Sequence, residues 1–278
     1  MKEDRKDSPE RNGYPYMSSP RNAITRLLLI PFLVYLVWAL EIFLFGGHLQ
    51  LFQQPGPLAL LLYTLITCIL VGIIVPVVLM QRTFMSGAVN MFQFGFRSIR
   101  RTTLAVALTS LVVYTAIALQ NPFGTDRSLF AVAFLLLLPT GIASVMVCWV
   151  LVGTHLQALV RDGGALMSIS AGVVVTAILF GLSSLVLYPG TLSQNTLFWY
   201  ILAGILAAIF FFSVRDIWAA SVAVTGELVY LLAGQFDTAL LRLSSPFITL
   251  AAVITVVGLA AIHWYLSRNY VTIPVRSA

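Results

Sequence analysis

Residues 218–232 of the chain read WAASVAVTGELVYLL, an apolar run that contains one carboxylic acid, Glu227, near its centre. A carboxylate at the middle of a bilayer costs about 2.5–3.5 kcal/mol unless it is protonated, paired or hydrated. We therefore interpret the run as a transmembrane helix and Glu227 as a candidate site residue. The alternative role for this acid is a structural hydrogen bond to a neighbouring helix.

The composition of the whole chain agrees with this interpretation. Of its 278 residues, 59% are hydrophobic and 9% are charged, whereas about a quarter are charged in an ordinary soluble domain. The chain also contains longer apolar runs, and runs of about 18 or more residues indicate an integral membrane protein. The formal charge of +6 comes mostly from residues between the runs, so it does not indicate a nucleic-acid partner. Cys68 and Cys148 lie inside apolar runs and are expected to be small buried hydrophobic residues.

The apolar runs predict an all-α, polytopic bundle of eight transmembrane helices. The predicted spans are 24–46, 58–80, 103–120, 129–152, 169–188, 197–213, 217–234 and 245–266. Residues 1–23 are polar and predict a flexible cytoplasmic tail, 24–266 form the membrane domain, and 267–278 form a second cytoplasmic tail. The first run is too long for a signal peptide and is expected to remain as a span. The gap of 214–216 predicts that spans six and seven form an antiparallel hairpin.

The distribution of basic residues predicts the orientation. Fourteen of the sixteen lysines and arginines fall in or beside the two tails and in alternate loops on one side, and only Arg127 and Arg242 fall on the other. Basic residues accumulate in cytoplasmic loops. We therefore expect a multi-pass protein of the cell membrane with both termini in the cytoplasm.

The loop 81–102, QRTFMSGAVNMFQFGFRSIRRT, interleaves aromatic and basic residues, including Phe92, Phe96, Arg97, Arg100 and Arg101. This pattern favours an amphipathic helix on the inner leaflet, with its arginines at anionic headgroups. The lipid bilayer is therefore the first predicted partner. The alternative is a positively charged loop that only fixes the topology.

The remaining titratable residues within or beside the spans indicate no complete catalytic or metal site. Glu41 and His48 lie near the outer end of the first span, and His263 precedes Trp264 near the inner end of the last, so interfacial roles are expected. His155 is predicted at a different depth from the other histidines, which disfavours a zinc site. The chain has no His-Glu-x-x-His, Gly-x-Ser-x-Gly or Gly-rich phosphate motif. We therefore expect no metal and no cofactor.

Three stretches resemble a known family in their apolar surroundings and in the spacing of their residues. They are VCWVLVGTHLQALVRDGG at 147–164, ILFGLSSLVLY at 178–188 and IWAASVAVTGEL at 217–228. They resemble the motif regions of the CPBP intramembrane endopeptidases, the family of CAAX prenyl proteases and bacteriocin-processing proteins. The family motifs are Glu-Glu-x-x-x-Arg, Phe-x-x-x-His and His-x-x-x-Asn. This chain keeps Gly153 and Phe180. It lacks the acids, the Arg, the histidines and the Asn of the family motifs. The residues at those positions are, in order, Val147, Cys148, Val152, Ser184, Val224 and Leu228.

The resemblance implies an eight-span fold with both ends cytoplasmic and a relative without catalytic residues, since water activation in that family needs the missing acid and histidine side chains. A cavity is expected to remain, lined by Glu227, Ser184, Phe180 and Thr225. Glu227 follows the Val224 position by three residues and shares its helix face.

Three functions stay open at this point. The leading expectation is a catalytically inactive CPBP-like protein that binds a hydrophobic peptide or another membrane protein. One alternative is a small-solute or proton-coupled transporter that uses Glu227. The other is a divergent intramembrane protease that uses the same acid.

Overall fold

The computed structural model describes residues 24–48, 50–52, 55–85, 89–120, 127–187 and 194–271. The predicted tail 1–23 and the last seven residues of the predicted tail 267–278 lie outside the described residues. Over the described ranges the regular structure is helical, without a strand, as the apolar runs predict.

Eight helices in the described part of the chain are long and apolar enough to cross a membrane, which confirms the predicted all-α, multi-pass class. They are α1 Thr25–His48, α2 Pro57–Met85, α3 Met91–Gln120, α4 Ser128–Leu159, α5 Ala165–Leu187, α6 Thr196–Val214, α7 Ile217–Gln235 and α8 Ser245–Asn269. The third opens with a 3-10 turn, Met91–Phe94, and is α-helical from Ile99. Short helices at Arg161–Gly163 and Thr238–Leu243 lie in connections.

Helix α4 is the centre of the bundle. In its most apolar stretch 89% of the residues are buried, and every residue of Val145–Gly153 is buried. The helix packs against α1, α2, α5, α7 and α8. It therefore supplies most of the core, whereas the other seven helices face the outside of the bundle along much of their length.

Helices α5 and α6 approach each other closely because of small residues. A Cβ placed on Gly204 would lie 2.7 Å from the carbonyl oxygen and 2.9 Å from the Cα of Ala177. At this point the two backbones are in contact, which is how membrane helices gain van der Waals packing. Any side chain at 204 would force the helices apart.

Only Arg215 and Asp216 separate α6 from α7, as the short gap in the sequence predicts. Arg215 has a φ of +53°, which lies in the left-handed region and reverses the chain. Asp216 then caps α7, because its carboxylate accepts a hydrogen bond from the backbone N–H of Ala219 at 3.0 Å. The turn thus combines a strained residue with a helix cap.

Helix α3 lies at the edge of the bundle. Only 11% of its apolar stretch is buried, and the helix it packs against most is α7. Gly226 of α7 faces Val113 of α3, where an added Cβ would overlap the valine side chain. Beside this contact, apolar residues of α3 such as Leu108 and Val112 remain exposed.

The prediction of one amphipathic helix over 81–102 is wrong. Helix α2 continues to Met85, the 3-10 turn occupies Met91–Phe94, and the α-helical part of α3 begins at Ile99. Gly95 has a φ of +89°, and a Cβ there would lie 3.1 Å from Cγ1 of Ile217. The chain therefore turns into the bundle at this glycine instead of continuing along the membrane surface.

Candidate functional site

A groove of about 610 Å³ runs between α3, α6 and α7, and Glu227 lies in its wall. The walls include Leu108, Val112 and Ala116 on α3, Leu206 and Phe210 on α6, and Ala223, Glu227 and Tyr230 on α7. Residues three and four positions apart on a helix share one face, so each helix contributes a continuous stripe. From Leu108 to Gln120 the α3 wall extends about 18 Å at 1.5 Å per residue.

The carboxyl of Glu227 has an unsatisfied oxygen. Its Oε2 is buried and has no hydrogen-bond partner among the described residues. The other polar side chains of the lining are those of Thr109, Gln120 and Tyr230. A buried acceptor without a partner costs about 1–3 kcal/mol, and a hydrogen-bond donor arriving in the groove would recover part of that cost.

The groove opens on the outer, apolar surface of the bundle. Leu108, Val112, Leu206 and Tyr230 in its walls are each at least half exposed. In a membrane protein such a surface faces lipid. The sequence identified Glu227 but not the walls on α3 and α6, because nothing local to those helices shows which apolar residues line a groove.

The other three residues predicted to line a cavity with Glu227 lie in helix interfaces. Phe180 is fully buried with its ring centroid 5.1 Å from that of Trp149. Ser184 is 1% exposed. Thr225 donates a hydrogen bond to the carbonyl of Ser221 at 2.7 Å. The structure therefore does not bring the four predicted residues together, and Glu227 alone lies in the groove.

The positions that match the CPBP motifs are packed with apolar side chains. Exposed fractions are 0% for Val147 and Cys148, 2% for Val152, 1% for Val224 and 0% for Leu228. No group of three or more His, Cys, Asp or Glu side chains within the described ranges could hold a metal ion. At these positions the chain presents neither an acid nor a base to a substrate.

Only some of the residues predicted to contact the inner leaflet are exposed in the structure. Phe92 is 48% exposed and lies under the guanidinium of Arg97 at 5.5 Å. Arg100 and Arg101 are exposed at the start of the α-helical part of α3. Phe96 is fully buried, with its ring centroid 5.5 Å from that of His263. Phe96 is therefore a core residue, contrary to the prediction, because Gly95 turns it inward.

His263 connects this loop to α7 and α8. Trp218 donates its indole N–H to Nδ1 of His263 at 2.7 Å, and Nε2 of the same ring lies 2.7 Å from the carbonyl oxygen of Arg97. Indole N–H is only a donor and a carbonyl is only an acceptor. The ring is therefore neutral, with its proton on Nε2. This position was predicted as an interfacial anchor, but it is a buried bridge.

Comparison with protein-family models, with curated proteins and with solved structures finds no match to this chain. Fold and site together define an all-α, multi-pass class of protein with a lateral groove, in whose wall the Oε2 of Glu227 has no partner among the described residues.

Proposed function

We propose that the chain is a catalytically inactive, CPBP-like membrane protein that binds one hydrophobic transmembrane segment of a partner in the groove at Glu227. The observation that carries this proposal is the buried Oε2 of Glu227, which has no partner among the described residues, in an apolar groove of about 610 Å³. The bound segment would supply one hydrogen-bond donor, such as an asparagine, serine or lysine side chain.

The chemistry of the site favours binding over catalysis. General acid–base catalysis needs a positioned pair of groups that give and take protons. Val147, Cys148, Ser184 and Val224 occupy the matching positions and are buried. Glu227 has no histidine or second acid beside it in the groove lining.

The shape of the groove favours a helix as the occupant. Its length of about 18 Å along α3 corresponds to roughly twelve helical residues. Ala116 and Ala223 lie in its walls, and small residues allow two membrane helices to approach closely. A helix with one donor near its centre would cover the apolar walls and satisfy the carboxyl of Glu227.

The test uses defined peptides rather than a cell extract. Two synthetic leucine-rich transmembrane peptides of about 20 residues, one with a central asparagine and one without, are titrated against the full chain in nanodiscs by energy transfer. We expect the asparagine peptide to bind about fivefold more tightly, since a hydrogen bond between membrane helices contributes about 1 kcal/mol. Glu227→Leu should remove that preference.

Two further variants separate the groove from the rest of the surface. Ala116→Phe fills the groove and should weaken the binding of both peptides. Ala260→Phe adds the same side chain to an exposed position of α8 and should leave binding unchanged. Equal binding of the two peptides to the wild-type chain, or an unchanged preference in Glu227→Leu, would refute the proposal.

The alternatives that use the same carboxyl predict different results. A proton-coupled transporter would give solute flux in proteoliposomes whose pH dependence disappears in Glu227→Gln. A divergent protease would cleave a membrane-anchored peptide, and Glu227→Ala would abolish the cleavage. We favour binding because the groove opens toward lipid and its lining is mostly apolar, whereas an ion path needs a series of polar groups.

We further propose that the protein lies in the cell membrane with both ends in the cytoplasm. In support, three arginines from different parts of the chain lie at one end of the bundle. The Nε of Arg97 donates to the carbonyl of Arg215 at 3.0 Å, and Arg161 and Arg215 line a common cavity. Clustering of basic residues on one side is the usual signature of the cytoplasmic face.

A further inference from the structure

A second cavity, of about 220 Å³, lies at the arginine-rich end of the bundle, away from the groove at Glu227. It is formed where the 3-10 turn that opens α3, the end of α4, the start of α5 and the α6–α7 turn meet. Its lining residues include Gln93, Gln157, Arg161, Ala165 and Arg215. Among the residues that the structure describes, no aspartate or glutamate belongs to its lining. The lining thus contains two arginines and no carboxylate from the described ranges.

Arg215 is held in place by groups that leave its charge unbalanced. Its Nη2 donates to Oε1 of Gln157 at 2.6 Å, and its Nη1 donates to the carbonyl of Gln93 at 2.8 Å. The ring centroid of Phe212 is 4.8 Å from its guanidinium carbon. A guanidinium has five N–H donors, and within the described ranges two of them have partners, neither of which is a carboxylate.

The electrostatics around Arg215 favour an anion, because Asp216, the carboxylate of the same turn, bonds to Ala219 and Thr102 and lies outside the cavity lining. Burial, and then the neighbouring charge of Arg97, lower the pKa of Arg215 to about 10, so the side chain remains a cation at neutral pH. An anion in the cavity would offset both effects, because it would neutralise two nearby positive charges.

Two residues of the same lining, Gln157 and Ala165, carry further donors. The Nε2 of Gln157 is buried without a partner among the described residues. Ala165 is the first residue of α5, a helix of 23 residues, and the first N–H groups of a helix have no intrahelical acceptor and carry partial positive charge. These groups add donors around the two arginines.

We propose that this cavity binds a phosphate group, carried either by a lipid headgroup or by a soluble ion. Phosphate offers several strong acceptor oxygens and forms paired hydrogen bonds with guanidinium groups. The volume is several times the roughly 30 Å³ that one water molecule occupies in the liquid, so a phosphate group fits together with some of its water. Arg215 and Gln157 would hold the phosphate from inside, and the exposed Arg161 would close over it.

The test measures binding of two probes to the full chain in uncharged detergent micelles. One probe is inorganic phosphate and the other is dihexanoyl phosphatidic acid, and dihexanoyl phosphatidylcholine serves as the lipid control. We expect saturable binding of at least one probe. Binding of both probes supports a site that takes phosphate from either source. Binding of inorganic phosphate alone supports a soluble ligand, and binding of phosphatidic acid alone supports a lipid headgroup.

Matched arginine variants assign the binding to the cavity. Arg161→Gln removes an exposed side chain of the lining, and Arg215→Lys keeps the charge but loses the paired geometry. Each should weaken binding about tenfold, the usual effect of losing a charge-assisted hydrogen bond. Arg100→Gln, at the same end of the bundle but outside the lining, should change binding by less than about twofold because exposed charges are screened by salt. The proposal is overturned if neither probe saturates or if Arg100→Gln weakens binding as much as Arg161→Gln.

Discussion

Asp216 connects the first turn of α7 to α3, so its replacement should destabilise the packing of these two helices next to the groove. The side chain is 1% exposed. One carboxylate oxygen accepts the N–H of Ala219 at 3.0 Å, and the other accepts the hydroxyl of Thr102 at 2.6 Å. Thr102 belongs to α3, which otherwise packs mainly against α7. The two bonds therefore combine a helix cap with a connection between two walls of the groove.

The expected loss follows from these two bonds. Removal of a helix cap costs about 1 kcal/mol, and a buried hydroxyl that loses its acceptor costs about 1–3 kcal/mol. We therefore expect Asp216→Ala to lower the free energy of unfolding by about 2–4 kcal/mol. Asp216→Asn keeps an oxygen for Ala219 and should cost about 1 kcal/mol, because only the charged partner of Thr102 is lost.

The assay is equilibrium unfolding in mixed micelles of detergent and sodium dodecyl sulfate, with Thr102→Val completing a double-mutant cycle. A direct bond predicts a coupling energy of about 1–2 kcal/mol between the two positions. Peptide binding in the groove should weaken in the same variants, because α3 loses a connection to α7. A coupling energy below about 0.5 kcal/mol, the usual limit of additivity, would refute the reasoning.

Two further predictions concern the arginine-rich end of the bundle. His263→Phe and Trp218→Phe should each lower the free energy of unfolding by about 1–2 kcal/mol. Their effects should not add, because both variants remove the Trp218–His263–Arg97 bridge. Additive losses in mixed-micelle unfolding would contradict this. A cysteine at exposed Ser98, with buried Cys68 and Cys148 replaced by alanine, should react with an impermeant maleimide only from the cytoplasmic side, and labelling of intact cells from outside would reverse the proposed orientation.

The loop 81–102 shows where a local pattern is misleading. Alternating aromatic and basic residues predict a helix with one apolar face, yet Phe92 is half exposed and Phe96 fully buried. The deciding feature is the packing of Gly95 against Ile217 and Phe211, residues more than a hundred positions away. A sequence pattern does not contain such a contact, so it cannot show that the chain turns inward there.

The candidate site was likewise only partly predictable from the sequence. Glu227 could be identified from the sequence, because an acid in an apolar run is costly wherever the helix is placed. Its separation from Ser184 and Phe180 could not, because that depends on how α5 and α7 are placed around α4. Thr225 lies two positions before Glu227 on α7, and helix geometry alone puts it on a different face. The cavity beside Arg215 was also missed, since Arg215, Gln157 and Gln93 come from the α6–α7 turn, the end of α4 and the first turn of α3, and only the tertiary structure brings them together.

The sequence by itself predicted the eight apolar spans of the described ranges and the α6–α7 hairpin, because bilayer thickness sets span length through local apolar composition. It did not predict the full length of α4, which continues to Leu159, seven residues beyond the predicted end at 152. Only the tertiary structure decided that α4 is central and α3 peripheral, with 89% and 11% of their apolar stretches buried. Lipid and protein interior are equally apolar, so hydrophobicity does not distinguish a side chain that faces a neighbouring helix from one that faces the membrane.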